Sequence, residues 1–268
     1  MPIHISSGIQ ADTTALTDGN IIVDNNIHRD GYHRNGSVMA ELLRVPGRPC
    51  VWDVSSRLSD AVPDLSGARC HMTPNNSPTF GGAGRASYVD LDGTDQYLSR
   101  DNTAGERVNI TGAVTVGGWF WTDTLAYGTT DRGFIGKWNA TGDQRSYLVL
   151  FNDSSNKAEF SVSRLGTNAT VTTISGPVLV ASTWYFIVGR FTPSTNVEIY
   201  VNGTWYSGGS GPASIYDCSG DFNIGAFDNG TATTVLNGRA NLLLATPAAL
   251  SNSAVTRLYQ RTRGLRGV

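Results

Sequence analysis

The chain has 268 residues, a formal net charge of −2, a pI near 6.1 and only 16% charged residues. A protein that binds nucleic acid or an anionic membrane through its electrostatic field needs a basic stripe, so this charge balance argues against both partners. No run of 18 apolar residues occurs, so no segment is predicted to insert into a membrane. The 31 glycines and ten prolines favour short strands joined by tight turns, which predicts an all-β protein.

The first 48 residues differ in composition from the rest of the chain. Residues 25–36 are polar and rich in turn-forming residues, and only a brief apolar patch follows them. Residues 1–48 are interpreted as an arm, a small β-element or a docking segment. Such a segment buries too little apolar surface to order itself alone, so it is predicted to gain structure from a protein partner or a second copy. The residues expected at that contact are Val38, Met39, Leu42 and Leu43. The opening residues lack the charged and apolar regions of a secretory signal, so none is predicted.

Alternation of apolar and β-branched residues predicts twelve strands in the remaining chain. The clearest signal lies at residues 184–203, where two strand-like runs are separated by Pro-Ser-Thr-Asn and followed by Asn-Gly, the pattern of a meander. The strand at 183–192 carries bulky side chains on both faces, as a central strand does. The predicted strands are 88–91, 97–99, 114–121, 134–138, 146–151, 157–164, 170–174, 183–192, 196–201, 204–207, 221–224 and 239–245.

One helix is predicted near the end of the chain. Val255, Leu258 and Tyr259 recur at helical spacing, and Ser251 is placed to cap the amino end of the helix. No repeat with a period of 20–50 residues is present, which argues against a propeller or a solenoid.

Four motifs resemble those of a known family. They are YVDLDGTDQYL at 88–98, VTVGGWFW at 114–121, FIGKWN at 134–139 and the meander at 184–203. Together they resemble the laminin G-like jelly roll of the concanavalin A-like lectin and glucanase superfamily, and the similarity extends over about residues 51–268. The resemblance implies a second domain at residues 49–268, an antiparallel two-sheet jelly-roll sandwich with a short C-terminal helix. It also implies a protein that more often binds than catalyses.

Cysteines and acidic residues give limited signals for crosslinks and metals. Cys50, Cys70 and Cys218 are odd in number and show no C-x-x-C spacing, so buried unpaired thiols are preferred over a Cys50–Cys70 bridge. Calcium is the one cofactor suggested, because Asp92 and Asp95 flank a glycine in a turn that resembles one in the family, and calcium prefers carboxylate ligands. The alternative is that Asp92 hydrogen-bonds its own turn without a metal.

Glycoside hydrolysis on this fold requires two carboxylates that flank the scissile bond. The chain has only four glutamates, Glu41, Glu106, Glu159 and Glu198, and none begins the Glu-x-Asp-x-x-Glu pattern of the laminarinase-type relatives. Glu159 and Glu198 lie in alternating strands and are interpreted as solvent-facing charges. No G-x-S-x-G nucleophile motif is present either. The chain is therefore expected not to be an enzyme, and no catalytic residue is predicted.

Aromatic residues in loops are the candidates for glycan binding, because the apolar faces of sugars stack on aromatic rings. Most of the six tryptophans and ten tyrosines are expected in the core. The loop candidates are Tyr127, Trp205, Tyr206, Tyr216 and Phe227. The alternative for each is that the ring caps the end or edge of the sandwich.

These patterns predict a non-enzymatic recognition or structural protein. The first hypothesis is a phage virion decoration or tail-associated component, displayed on the virion or at an extracellular surface, whose jelly roll binds a glycan, a cell-surface polysaccharide or a protein surface. Lysis would bring such a protein outside the cell without a secretory signal. The alternative is a free-standing or enzyme-associated lectin-like module that binds carbohydrate, and a glycoside hydrolase is the third hypothesis.

Overall fold

The computed structural model of the chain describes residues 46–58, 60–103, 106–128, 130–231 and 234–268, without the side chains at positions 85 and 229. The predicted arm contacts Val38, Met39, Leu42 and Leu43 lie outside the described residues. Within the described ranges, no helix has both the length and the apolar character needed to cross a bilayer.

The described residues form fifteen strands and one α-helix, and all twelve predicted strands are among them. Several strands extend past the alternating pattern, because hydrogen bonds to a neighbouring strand continue where the side chains no longer alternate. In chain order they are β1 (Cys50–Trp52), β2 (Thr73–Asn75), β3 (Thr79–Gly81), β4 (Tyr88–Asp92), β5 (Tyr97–Arg100), β6 (Val114–Thr122), β7 (Arg132–Asn139), β8 (Gln144–Asn152), β9 (Lys157–Ser163), β10 (Val171–Val178), β11 (Trp184–Thr192), β12 (Asn196–Val201), β13 (Thr204–Ser210), β14 (Phe222–Ile224), β15 (Asn237–Thr246) and the helix α1 (Asn252–Thr262).

The strands build two antiparallel sheets that pack face to face. The first sheet has the order β13-β12-β11-β6-β15-β4-β3, with β1 also paired to β15, and the second has the order β10-β9-β8-β7-β14-β5-β2. Strands far apart in the sequence are therefore neighbours, since β15, the last strand, lies between β6 and β4. This is the predicted jelly-roll sandwich.

Two short strands have no signal in the alternating pattern. β2 and β3 contain three residues each and pair with β5 and β4 at the ends of the two sheets. Three residues are too few for an alternating pattern to be recognised, and β2 also contains Pro74, so only the pairing partner defines these strands.

The central strand β11 buries side chains on both faces, as its sequence predicts. Ile187 and Phe191 point into the core between the two sheets. Phe186 and Val188 point to the outer face of the first sheet, where they belong to a second buried cluster. The first sheet therefore requires a covering layer.

The helix α1 provides that layer. Its predicted cap is confirmed, because Ser251 Oγ accepts a hydrogen bond from the Ala254 backbone N–H at 3.2 Å. Val255 and Leu258 are buried against the outer face of the first sheet. The Trp119 indole N–H, from strand β6, donates to Thr262 Oγ1 at 2.8 Å, so the helix is fixed at its carboxyl end too.

The interpretation of Cys50 and Cys70 as unpaired thiols is wrong, because their sulfur atoms are bonded to each other. After β1 the chain turns back through two antiparallel bridges, Trp52–Asp64 and Val62–Met72, which return Cys70 to the start of β1. Their Cα atoms lie 5.9 Å apart, within the usual range for a disulfide. Cys218 is a buried free thiol, as expected.

Candidate functional site

The two sheets differ in what covers their outer faces. The outer face of the first sheet is apolar and packs under α1. Its tryptophan, phenylalanine and leucine side chains are removed from solvent, so this face stabilises the fold and offers little surface to a ligand. The buried members of this cluster are Val51, Trp119, Phe186, Val188, Tyr200, Leu242, Leu244, Leu250, Val255 and Leu258.

The outer face of the second sheet is polar, and we call its outward-pointing side chains the polar face. Successive strand residues alternate between the two faces of a sheet, so the neighbours of core residues such as Phe160 and Phe222 point outward. The register of the strands aligns seven of these outward positions in one row across the sheet. The row consists of Thr73, Ser99, Asn223, Gly136, Leu148, Ser161 and Thr173.

Hydroxyl groups and one carboxylate are grouped at the β9–β10 side of the polar face. Glu159 Oε1 accepts a hydrogen bond from Ser175 Oγ at 2.8 Å. In the next pair along the two strands, the hydroxyls of Ser161 and Thr173 are 2.8 Å apart. Burial raises the pKa of Glu159, and the negative charge of Asp131 raises it further. The group therefore holds a partly desolvated carboxylate beside three hydroxyls.

A small apolar cluster lies on the same face. Trp138, Leu148 and Leu150 are buried there, and Val171 and Phe227 pack against them. Trp138 comes at the end of β7, after an irregularity in the β7–β8 register at Lys137/Trp138. The outer face of the second sheet thus carries a buried apolar cluster beside its hydroxyl and carboxylate groups.

Asn223 is the most unusual residue of the polar face. It is fully buried, and neither its amide oxygen nor its amide nitrogen has a hydrogen-bond partner within the described part of the chain. Residues that follow β14 fold back over this region. The backbone at Gly230 lies so close to the Tyr97 ring that a Cβ at that position would be 2.1 Å from Tyr97 Cε1. A desolvated amide without partners is costly, so this position is a weak point of the packing or the seat of a bound molecule.

The acidic groups at the ends of the second sheet are bonded to backbone. Asp131 Oδ1 accepts from the Asp153 N–H at 3.0 Å, and Asp228 Oδ1 accepts from the Ala140 N–H. Burial raises the pKa of both carboxyl groups. These side chains stabilise loops and are only partly available to a ligand.

Of the five predicted glycan contacts, one lies on the polar face and four lie elsewhere. Phe227 packs against the cluster of Trp138, Leu148 and Leu150. Trp205 lies on the outer face of the first sheet, where the Arg190 guanidinium stacks on its ring at 4.0 Å, and Tyr206 packs against the main core. All five side chains are half-buried, which agrees with a packing role for their rings.

The remaining two, Tyr127 and Tyr216, hold loops together. The Tyr127 hydroxyl donates to the Asn237 carbonyl at 3.0 Å, and the Arg132 guanidinium lies 4.5 Å from its ring centroid. The Tyr216 hydroxyl accepts from Gln144 Nε2 at 3.4 Å. The structure does not bring the five aromatic residues together into one site.

The predicted calcium ligands Asp92 and Asp95 lie in the turn after β4. Asp92 Oδ1 accepts from the backbone N–H of Thr94 at 2.8 Å and of Asp95 at 3.3 Å. The side chains of the described residues form no cluster of three acidic, histidine or cysteine groups able to hold a metal. The contacts made by Asp92 are those of the alternative interpretation, a side chain that hydrogen-bonds its own turn.

Trp138 and Asn223 are polar-face residues that sequence reasoning does not single out, and Glu159 is interpreted there only as a solvent-facing charge. Alternation along β9 places Glu159 and Ser161 outward, which is visible in the sequence. The pairing of β9 with β8 and β10 is not visible there. Without it, Glu159 is indistinguishable from an ordinary solvent-facing strand charge.

Similar solved structures are binding domains of toxins. The binding domain of Paraclostridial Mosquitocidal Protein 1 superposes with a TM-score of 0.60 at 14% identity, over 78% of this chain and 51% of that one. The ligand-binding domain of botulinum neurotoxin serotype D, in complex with N-acetylneuraminic acid, gives 0.60 at 11% identity, over 83% and 52%. The binding domain of botulinum neurotoxin DC, in complex with rat synaptotagmin II, gives 0.61 at 10% identity, over 80% and 51%.

The chain thus spans about half the length of these structures, and at such identities the likeness concerns the fold. No curated protein sequence matches the chain. The sequence profile of a laminin G-like family does match it, over residues 92–255, which run from the end of β4 into α1 and include most of both sheets. The chain therefore belongs to this laminin G-like family of the concanavalin A-like lectin/glucanases superfamily.

Proposed function

We propose that the protein is a non-enzymatic recognition protein that binds a glycan through its polar face. The observation that carries the proposal is the contrast between the two outer faces. An apolar cluster and α1 occupy the outer face of the first sheet, whereas the second sheet carries hydroxyls and the Glu159 carboxylate on adjacent strands. Within this group Thr173 is exposed, Glu159 and Ser175 are half-buried, and Ser161 is buried. A sheet face with polar groups in fixed register suits a ligand with many hydroxyl groups.

The hydrogen bonds on the polar face can be exchanged for bonds to a sugar. Ser175 donates to Glu159, and the Ser161 and Thr173 hydroxyls bond each other. Replacing one such bond with a bond to a sugar hydroxyl changes the number of hydrogen bonds little, so its net cost is small. Thr173 is exposed, so a ligand reaches this group from the edge of the sheet.

Related folds bind both kinds of partner that the sequence suggests. Among the similar structures, one botulinum domain is in complex with N-acetylneuraminic acid and another with synaptotagmin II. A shared fold does not fix the ligand. The composition of the polar face favours the glycan, and a protein surface is the second candidate.

Catalysis is not part of the proposal. The interpretation of Glu198 as a solvent-facing charge is wrong, because Glu198 forms a buried ion pair with Arg190 at 2.6 Å. Glu106 pairs with Arg100. A hydrolase would have to combine Glu159 with a second carboxylate, and Asp131 is the acid whose charge acts on Glu159. Asp131 is bonded to backbone at the end of the sheet, which does not suit a nucleophile or base.

The test compares exposed threonines on the two sheets. Thr173→Arg places a long charged side chain on the polar face, and Thr204→Arg makes the same change at an exposed position of β13 in the first sheet. The wild-type protein is screened on an array of neutral and acidic glycans, and the affinity for the best ligand is measured by titration calorimetry. We expect Thr173→Arg to weaken binding by at least about tenfold, as a lost well-placed contact does, and Thr204→Arg to leave it unchanged.

The same preparation is assayed for release of reducing sugar from the bound glycan, and no release is expected. Release that disappears in Glu159→Gln would show a hydrolase. An array without any hit, or equal loss of binding in both threonine variants, would contradict the polar face as the glycan site.

We also propose that the protein is displayed on a phage particle, as a decoration or tail-associated component. The support is the polar composition of residues 1–48, which suits a docking segment, together with the family of the remaining chain. Mass spectrometry of purified particles is expected to detect the chain in fixed proportion to the capsid or tail proteins.

A further inference from the structure

A second candidate site lies beside the Cys50–Cys70 disulfide, away from the polar face. It is a pocket of ≈ 250 Å³, lined by three chain segments that meet at the start of β1. Two arginines contribute to it, and none of its described lining residues is acidic. The lining consists of Arg48, Pro49, Ser66, Gly67, Ala68 and Arg107.

The pocket carries a local positive charge on a chain whose net charge is −2. Arg48 and Arg107 make no hydrogen bond or ion pair with any described residue, unlike Arg100, Arg145 and Arg190, which pair with carboxylates. Two guanidinium groups in one pocket repel each other unless an anion lies between them. The pair therefore favours a negatively charged ligand.

The carboxylate of Asp64, next to the turn at 66–68, is already engaged in hydrogen bonds. Asp64 is buried, and its Oδ1 accepts hydrogen bonds from the backbone N–H of Val51 at 2.9 Å and of Ser66 at 3.0 Å. Its second oxygen accepts from Ser66 Oγ at 2.9 Å and Cys70 N–H at 3.4 Å. Asp64 thus shapes the wall of the pocket, with its charge turned towards the backbone.

The segment that carries Arg48 is held in an unusual conformation. Gly47 and Arg48 both have positive φ angles, 90° and 56°, and a positive φ is uncommon for an arginine. The Thr246 hydroxyl donates to the Pro46 carbonyl at 2.6 Å and fixes the segment to β15. Backbone conformations of this kind persist where the surroundings impose them, and they cluster at binding sites.

The other two walls are fixed as well. The disulfide joins the turn at 66–68 to the start of β1, because Cys70 follows the turn and Cys50 begins the strand. The Tyr147 hydroxyl donates to the carbonyl of Val108, next to Arg107, at 2.6 Å. A pocket with walls held in advance loses little freedom when it binds.

We infer that this pocket binds an oxyanion, with Arg48 and Arg107 donating to its oxygen atoms. Guanidinium groups bind carboxylates and sulfates through two parallel N–H···O bonds, a geometry that lysine does not offer. The anion is either a group on an acidic sugar or a free inorganic ion, and the two sources share the same chemistry. This site does not depend on the glycan site of the polar face.

The test titrates the full-length protein with three probes at constant ionic strength, followed by NMR or calorimetry. Methyl glucuronide represents the acidic sugar, sodium sulfate the free ion, and methyl glucoside is the neutral control. We expect saturable binding of the glucuronide, of sulfate or of both, and none of the glucoside. Saturation by only one of the charged probes identifies the source of the anion.

Three variants locate the site. Arg48→Gln and Arg107→Gln should each weaken binding about tenfold or more, the effect of losing one charge-assisted contact. Arg261→Gln removes the same charge from the exposed surface of α1 and should have no effect. Circular dichroism confirms that each variant is folded.

Absence of saturation by both charged probes would overturn the inference, and so would equal weakening in Arg261→Gln. Thr173→Arg on the polar face should leave anion binding intact. Loss of anion binding in that variant would place the anion on the polar face and overturn the assignment to Arg48 and Arg107.

Discussion

At the scale of single residues, two buried asparagines of the same sandwich have opposite environments. Asn241, in β15, accepts from the Val54 N–H at 2.8 Å and donates to the Ser87 carbonyl at 2.8 Å. Asn223, in β14, has a partner at neither amide atom among the described residues. Both side chains are fully buried, so they differ in hydrogen bonding and not in burial.

This contrast predicts that the same change, asparagine to leucine, has opposite effects on stability at the two positions. Asn223→Leu removes a desolvated amide that gains nothing from the fold, so we expect the free energy of unfolding to rise by about 1 kcal/mol. Asn241→Leu leaves the Val54 N–H and the Ser87 carbonyl unpaired, so we expect a loss of about 2–3 kcal/mol. Urea denaturation of the two variants and the wild type measures both changes.

A loss of similar size in both variants would contradict the prediction. It would mean that a bound water or ligand satisfies the Asn223 amide in solution. Because Asn223 lies in the outward row of the polar face, the glycan identified by the array screen should then be tested for its effect on the stability of the wild type.

At the scale of elements, the disulfide fixes the first strand to the rest of the sandwich. β1 has three residues, and besides its pairing with β15 it forms one bridge, between Trp52 and Asp64, which is a limited attachment for the first described strand. The bond between Cys50 and Cys70 closes a loop with a sequence separation of 20 residues. A closed loop restricts the unfolded chain and so stabilises the folded one.

Replacing Cys50 and Cys70 together by serine is expected to lower the free energy of unfolding by about 3 kcal/mol, the estimate for a loop of this length. Cys218→Ser is the control, since Cys218 is a free thiol. Thiol titration of the oxidised, denatured wild type should detect one thiol per chain. Three thiols per chain would show that the bond does not form.

At the scale of the whole molecule, the arm and the jelly roll are predicted to have separate roles. The described fold begins at residue 46 and the first strand at Cys50, so a chain that starts at residue 45 keeps every described element. Deletion of residues 1–44 should therefore leave a folded sandwich that binds its ligands. The truncated chain should lose its association with a partner or a second copy, because polar segments of this kind gain order from such contacts.

Analytical ultracentrifugation and near-ultraviolet circular dichroism measure association and folding. A full-length variant with Val38, Met39, Leu42 and Leu43 changed to serine tests the same contact without a deletion. If the truncated chain loses glycan binding while association is unchanged, the arm belongs to a ligand site and the docking role is wrong.

The sequence by itself determined the fold class, the order of the long strands and the closing helix. These features depend on local alternation, on turn residues such as Asn202-Gly203 and on the cap at Ser251, all of which operate within a few residues of chain. The central position of β11 also followed from its own residues, because bulky side chains on both faces require cover on both sides.

The tertiary structure alone decided which residues meet. Cys50 reaches Cys70 because the chain after β1 turns back through the Trp52–Asp64 and Val62–Met72 bridges, and no local pattern encodes that path. The polar face and the arginine pocket likewise combine side chains from strands and turns far apart in sequence. Alternation assigns a side chain to one face of its strand, whereas the neighbours on that face depend on pairings between distant segments, which is why the candidate sites emerged only from the folded chain.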